Sequence, residues 1–257
     1  RVKEETVKLV GMLTDELGFA RNHIRIAFSG GRGYHVHVTD IAVRGWESPE
    51  RREVVDYVCG IGIDPGVMLA PGRAPAGWGQ RYADALRDHL LWLAGLDPAE
   101  AAAYLTGPAG IGKRAATEFL AGLGALREED AGALRENRIV RAITGTPEFE
   151  ERVRDAGARA DEPVTTDIKR LIRAPGSLHG GSGMRVVPLD ARDLADFDPL
   201  VDAVVFGDRE VRVDVKANFT TSLLGNTYAL KAGPASVPEA LAVFLCCRNM
   251  AEIAGGA

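Results

Sequence analysis

FSGGRGYHVHV, residues 28–38, decides how this 257-residue chain is read. The run before it, Ile24-Arg25-Ile26-Ala27-Phe28, alternates apolar with other residues, and Tyr34-His35-Val36-His37-Val38 alternates again after the glycines. Two runs of period two around Ser29-Gly30-Gly31-Arg32-Gly33 predict a strand, a glycine turn and a second strand. On such a strand His35 and His37 share one face, and Tyr34, Val36 and Val38 share the other. The stretch then has three readings. A tight hairpin with two half-exposed histidines is the plainest. A metal site needs a third ligand, and only His23, His89 and His179 remain as other histidines. A phosphate cradle needs amides freed by glycines, a guanidinium fork and a hydroxyl or imidazole, and Ser29, Gly30, Gly31, Arg32 and His35 supply them all.

A second stretch, DIKRLIRAPGSLHG (167–180), gathers Lys169, Arg170, Arg173, Ser177 and His179 around Pro175-Gly176. The pattern predicts a helix around Thr166 to Ile172, with Lys169 and Arg173 on one face at i, i+4 and Leu171 and Ile172 turned inward. A cationic face beside a glycine turn suits a polyphosphate. Asp161 and Glu162 stand just upstream, where a carboxylate could hold a divalent metal against the same phosphates.

Around these segments, amphipathic spacing predicts a helix over 2–17 that Gly18 stops, and a helix over 48–60 with Ser48 as cap and Pro49 behind it. A Gly- and Pro-rich loop (63–81) leads to an alanine- and leucine-rich stretch of short helices from 82 to about 145. Strands are expected at 184–189, 211–215 and 227–230, and a closing helix over 238–251. GPAGIGKR (107–114) satisfies the spacing of a P-loop but ends in Arg114 where Ser or Thr would hold magnesium, and its helical approach points to a helix–turn–helix junction.

Composition bounds these readings. Hydrophobic residues make up 46% and charged residues 26%, with mean hydropathy −0.05, which predicts a soluble globular protein with no membrane span. The net charge of −5 gives no global footprint for nucleic acid, although a local basic groove can sit on an acidic body. Cys59, Cys246 and Cys247 form no metal or disulfide pattern, so a reducing cytoplasm is expected. Arg1-Val2-Lys3-Glu4-Glu5 carries neither an initiating Met nor a signal segment, and a chain truncated at its start is the expectation.

SGGRGYHVHV and DEPVTTDIKRLIRAPGSLHGGSG together resemble the two signature segments of the small, catalytic subunit of archaeal and eukaryotic DNA primases. The similarity continues through FDPLVDAVVFGD (197–208) and VPEALAVFLC (237–246). It implies an α/β (α+β) archaeo-eukaryotic primase catalytic core with an inserted helical subdomain: core at 1–81, helical subdomain at 82–150, core again at 151–257. It implies template-directed nucleotidyl transfer, a DNA-directed RNA polymerase making short primers with Mg²⁺ or Mn²⁺ by a two-metal mechanism. Asp161 resembles the third of the family's metal-binding catalytic aspartates. Ser29, Arg32, His35, Arg173 and His179 resemble the residues that grip the nucleotide triphosphate, Lys169 and Arg170 are further candidates, and His37 has no assigned role.

The partners implied are a primase large subunit bearing an iron–sulfur cluster, a single-stranded DNA template and nucleoside triphosphates, in the cytoplasm at the nucleoid. The family's first Asp-x-Asp and its zinc motif precede the first segment and do not occur in these 257 residues; DFD (196–198) lies on the wrong side of both segments. The expectation is therefore a chain inactive alone. Two alternatives stand beside it: a metal-dependent hydrolase built on His35, His37 and Asp161, and a non-catalytic nucleic-acid-binding module resting on GIGKRAA, with Lys113 and Arg114 as its contacts.

Overall fold

The computed structural model describes residues 1–68, 76–123 and 137–254, which fall into two compact units. The first unit comprises 1–10, 19–45 and 169–257, and the second 11–18 and 46–168. The chain opens with α1 (Val2–Gly11), runs on through a π-helical turn (Met12–Glu16), and enters the predicted hairpin of β1 (Ile24–Phe28) and β2 (Tyr34–Val38). Antiparallel pairing sets Ala27 opposite His35 and Arg25 opposite His37, so the two histidines lie on one face as their spacing requires.

The second unit is helical: α2 (Ser48–Cys59), α3 (Pro65–Met68), α4 (Trp78–Ala94), α5 (Pro98–Thr106), α6 (Lys113–Leu123), α7 (Arg138–Ile143), α8 (Pro147–Ala156) and α9 (Glu162–Thr166). Leu86, Leu93, Leu105, Ile143 and Phe149 form its dry centre. The segment 11–18 is fastened there by Glu16, which accepts the Tyr57 hydroxyl at 2.7 Å and the Nε of Arg81 at 3.0 Å; burial and this carboxylate push the Tyr57 phenol up to about 12.

Back in the first unit come β3 (Val187–Leu189), α10 (Pro199–Asp202), β4 (Glu210–Val215), β5 (Phe219–Leu223), β6 (Asn226–Leu230), β7 (Gly233–Pro238), α11 (Glu239–Cys247) and β8 (Ala251–Ile253). Three antiparallel sheets result, ordered β2-β1-β3, β7-β4-β8 and β5-β6. Phe28, Met184, Phe197, Val213, Leu241 and Leu245 pack into one core under them. The mixed α/β class expected from the sequence is what forms.

Several local expectations change. The cap of α2 is Glu47, in a reciprocal box with Glu50, and Ser48 instead donates its hydroxyl to the Thr166 carbonyl at 2.7 Å. The loop expected over 63–81 already contains α3 and the first turn of α4. The helix expected around 166–172 ends at Thr166, and Leu171, far from turning inward, is 95% exposed, with Ile172 45% exposed. Thr165 and Thr166 bond their hydroxyls back to the carbonyls of Asp161 and Glu162, and Asp167 is already extended, so no helical face carries Lys169 and Arg173 together. The unit boundaries near 45 and 168 also differ from the expected 81 and 150, because α2 ties itself to later helices: Trp78 donates to the Tyr57 carbonyl at 2.6 Å and Ala158 to that of Val58 at 2.8 Å.

GPAGIGKR is the turn between α5 and α6, without the buried strand a P-loop leaves; Arg114 there pairs with Glu118 at 2.9 Å and Lys113 is exposed. Among the described residues no helix is long and apolar enough to cross a membrane.

The helical unit holds one wholly buried imidazole. His89 bonds Tyr104 through Nε2 at 2.9 Å, Tyr104 continues to Thr146 at 2.7 Å, and the Nδ1 of His89 has no partner. Burial, then the nearby Arg152 guanidinium, lowers this histidine from 6.5 to about 4. The unfolded chain therefore takes up the proton first, so the stability His89 confers is present above pH 6.5 and is lost as the pH falls toward 4. That linkage is worth roughly 3 kcal/mol. Thermal melts between about pH 7 and about pH 4.5 should show Tm falling steeply with acid, and His89→Phe should flatten the slope; an unchanged slope in the variant would place the acid sensitivity elsewhere.

Candidate phosphate-binding site

The turn between β1 and β2 is closed by its own first residue. The Ser29 amide donates to the Gly33 carbonyl at 2.9 Å, and its buried hydroxyl accepts from the amides of Gly31 at 3.4 Å and Gly33 at 3.3 Å. Ser29 thus shapes the turn from below, while Arg32 stands exposed with no hydrogen bond or ion pair among the described residues. Phe28 and Tyr34 at the strand ends stack with Phe197, ring centroids 5.5 to 6.3 Å apart, and anchor the hairpin to the core.

The second segment reaches the same place from the other end of the chain. After an irregular stretch at 167–174 with a turn at Ile168-Lys169, Gly176 and Ser177 pair with Val186, Leu178 bridges Arg185, and His179 donates its amide to the Met184 carbonyl at 2.8 Å. His179 stands at the corner of this narrow loop. Gly30, with φ of 80°, leaves room for it: a Cβ on Gly30 would lie 2.6 Å from the Cβ of His179 and 3.1 Å from the Met184 carbonyl. A Cβ on Gly31 would lie 3.0 Å from the imidazole Nε2. The two glycine turns are fitted to each other through this one ring.

Charge converges here as well. Burial holds His35 below the usual imidazole range, helped by His37 and by Arg173. Burial likewise lowers His179, again with Arg173 contributing and Arg248 after it. Arg173 therefore acts on both imidazoles, and it has no hydrogen-bonding or ion-pair partner of its own among the described residues. His35 keeps its Nδ1 buried and unpartnered, beside the His37 ring at 6.0 Å between centroids. Burial alone lowers His37.

Of the residues singled out in the sequence, Ser29, Arg32, His35, Arg173 and His179 all belong to the first unit, as do Lys169 and Arg170, which are exposed. Asp161 belongs to the second, exposed at the start of α9 with its side chain capping nothing. Among the described residues no three His, Cys, Asp or Glu side chains group to hold a metal ion. Asp198 of DFD serves as the cap of α10, accepting from Leu200 at 2.9 Å.

A family model described as DNA primase small subunit matches residues 1–191, which include both glycine turns. The chain belongs to the DNA primase small subunit family. It is 52% identical to the DNA primase small subunit PriS of Methanosphaerula palustris, over all of this chain and 70% of that protein. With PriS of Methanoregula boonei it shares 55% identity over 99% of this chain and 69% of the relative, and with that of Methanosarcina mazei 38% over 98% and 69%. The mixed fold is that of the primase α/β catalytic core.

Two residues of this primase chain escaped the sequence reading. Ser182 is 2% exposed and bonds the Gly30 carbonyl; the second serine of SLHGGSG, set between glycines, was the only hint in the sequence. Arg248, stacked 4.3 Å over Phe244 at the end of α11, adds its field to His179, and nothing local in the sequence links the two. Substitution at Gly30 tests the fitted turns. Gly30→Ala should cost about 2 kcal/mol or more, from left-handed strain plus the clash with His179, and should move the His179 ring resonances. Gly33→Ala, with nothing within 4 Å and an ordinary φ, should be close to neutral. Equal melting temperatures for the two variants would refute the close approach.

Proposed function

We propose that this turn pair is the triphosphate-binding half of a primase nucleotidyl-transfer site. The observation that carries the reading is the convergence of cations and neutral imidazoles on two glycine turns: among the described residues Arg32 and Arg173 have no hydrogen-bond or ion-pair partner, and Arg173 stands beside both His35 and His179. Phosphate oxygens would take the guanidinium forks bidentately, with the imidazoles completing the shell as donors. Lys169 and Arg170 extend the positive approach. In this reading the chain acts in making short primers for DNA replication from nucleoside triphosphates on single-stranded DNA, together with a primase large subunit.

Mg²⁺ or Mn²⁺ belongs to that reaction, with Asp161 as the matched carboxylate. The side chains gathered at the two turns bind and orient the nucleotide. Calorimetry with a nucleoside triphosphate should show Arg32→Ala and Arg173→Ala each weakening binding by about tenfold or more, the loss of a charge-assisted contact, and His37→Ala leaving it nearly unchanged. The purified 257-residue chain should bind nucleotide without joining two on a template; template-dependent dinucleotide synthesis by it would overturn this part of the reading.

Proton linkage gives an independent check. His35 and His179 sit below the ordinary imidazole value, and a bound polyanion raises them, so binding takes up protons. Affinity should therefore rise as the pH falls from about 8 to about 6, and the apparent binding heat should change with the buffer's own ionisation heat. A heat independent of buffer would show that neither imidazole takes up a proton when the anion binds.

A further inference from the structure

Ser182 has a place in the primase site that neither the sequence pattern nor the family resemblance assigns to it. Its hydroxyl is buried and has one proton, which it donates to the Gly30 carbonyl. Its lone pairs accept the Met184 amide at 3.2 Å, and it lies 3.3 Å from the Nδ1 of His179. That nitrogen accepts the Gly181 amide at 3.1 Å, so in the neutral ring the proton is on Nε2. With its only proton committed to Gly30, the Ser182 hydroxyl does not compete for Nδ1. The Nε2–H has no partner among the described residues and lies against Gly31, 3.0 Å from where a Cβ would be.

The same hydroxyl orients the first turn. Held by Ser182, the Gly30 carbonyl points into the protein, and in a planar trans peptide the Gly31 amide then points the opposite way. That amide meets only the Ser29 hydroxyl, at 3.4 Å, longer than an ordinary N–H···O bond. Two donors are thus fixed, the Gly31 amide through Ser182 and the His179 Nε2–H through the Gly181 amide, and among the described residues they have little or nothing to bond.

We infer that Ser182 is the positioning residue of the site, clipping the Gly30 peptide to the His179 loop so that the Gly31 amide and the His179 Nε2–H are presented together to one anionic oxygen of the polyphosphate. The inference rests on the phosphate-binding reading above, and its test separates the two. Inorganic tripolyphosphate serves as the probe, titrated into the full 257-residue chain, and ¹H–¹⁵N NMR reads the Gly31 amide and the His179 ring nitrogens without ligand. Ser182→Ala should shift the Gly31 amide resonance, leave the His179 proton on Nε2 and weaken tripolyphosphate by about tenfold, and Ser182→Thr, which keeps the hydroxyl, should restore the Gly31 resonance and the affinity. Ser182→Cys, close in shape with a weaker donor, should fall between them and carries the test if the alanine variant does not fold.

An unchanged Gly31 amide resonance and unchanged affinity in the Ala or Cys variant would overturn the role of Ser182, even with Arg32→Ala weakening the probe as expected. Restoration failing in Ser182→Thr while the chain stays folded would count against it equally. Wild-type chain that binds no tripolyphosphate would overturn the phosphate-binding reading, and with it the inference.

Discussion

The approach of Gly30 to His179 is the constraint on which the first unit's chemistry depends. No side chain fits between the two backbones, because a Cβ on Gly30 would overlap that of His179. That closeness lets residues far apart in the chain, 152 positions in the case of Gly30 and Ser182, form one surface, and it explains why the first turn carries glycines where a hairpin alone would tolerate other residues. The local price of so bare a turn is met from within it, by Ser29 accepting two amides, and from across, by Ser182 holding the Gly30 carbonyl. Behind both turns lies a packed base: Phe28, Tyr34 and Phe197 under the hairpin, and Val243 under the His179 loop at Gly183. Rigid supports of this kind keep donors in place before a ligand arrives, which lowers the ordering that binding must supply.

Neutral imidazoles beside arginines without carboxylate partners are an arrangement suited to receiving an anion. Burial and Arg173 hold His35 and His179 below their usual range, so both are uncharged near neutrality in the empty site. Two free guanidiniums and two protonated imidazoles at close quarters would repel one another; leaving the rings neutral limits that repulsion until phosphate charge offsets it. A structural ion-pair cluster would have carboxylates interleaved, as Glu16 is with Arg81 in the helical unit. Arg32 and Arg173 have no such partner among the described residues.

Sequence periodicity captured the parts of the fold that local physics determines. The β1–β2 hairpin follows from alternation around glycines, and His35 and His37 share a face for the same reason. α2 and α11 follow from apolar spacing, with errors confined to their ends. The stretch at 167–174 was misread because Lys169 and Arg173 at i, i+4 imitate a helix face, while the signals that end the helix are two back-bonding threonines and an extended Asp167. β5, β7 and β8 were missed because their pairing partners are distant or their runs are polar: β7 is Gly-Pro-Ala-Ser-Val-Pro, half-buried against β4. For the candidate site, residue types suggested the phosphate-binding reading, but the Gly30–His179–Ser182 junction is a long-range contact and no spacing in the chain encodes it.

The donor inventory also sets what this set of side chains can do to a triphosphate. Every group brought together at the two turns is a cation, an imidazole, a hydroxyl or an amide, and each stabilises charge already present on phosphate oxygens. Such groups lower the energy of the bound anion and of a transition state that spreads charge over the same oxygens, provided the donors do not have to move between the two. Fixing them is then worth as much as supplying them. A buried serine with a single proton, committed to one carbonyl, is a stiffer fastening than a charged side chain that can exchange partners with water, and this is why the junction is made of glycines and one hydroxyl rather than of ion pairs.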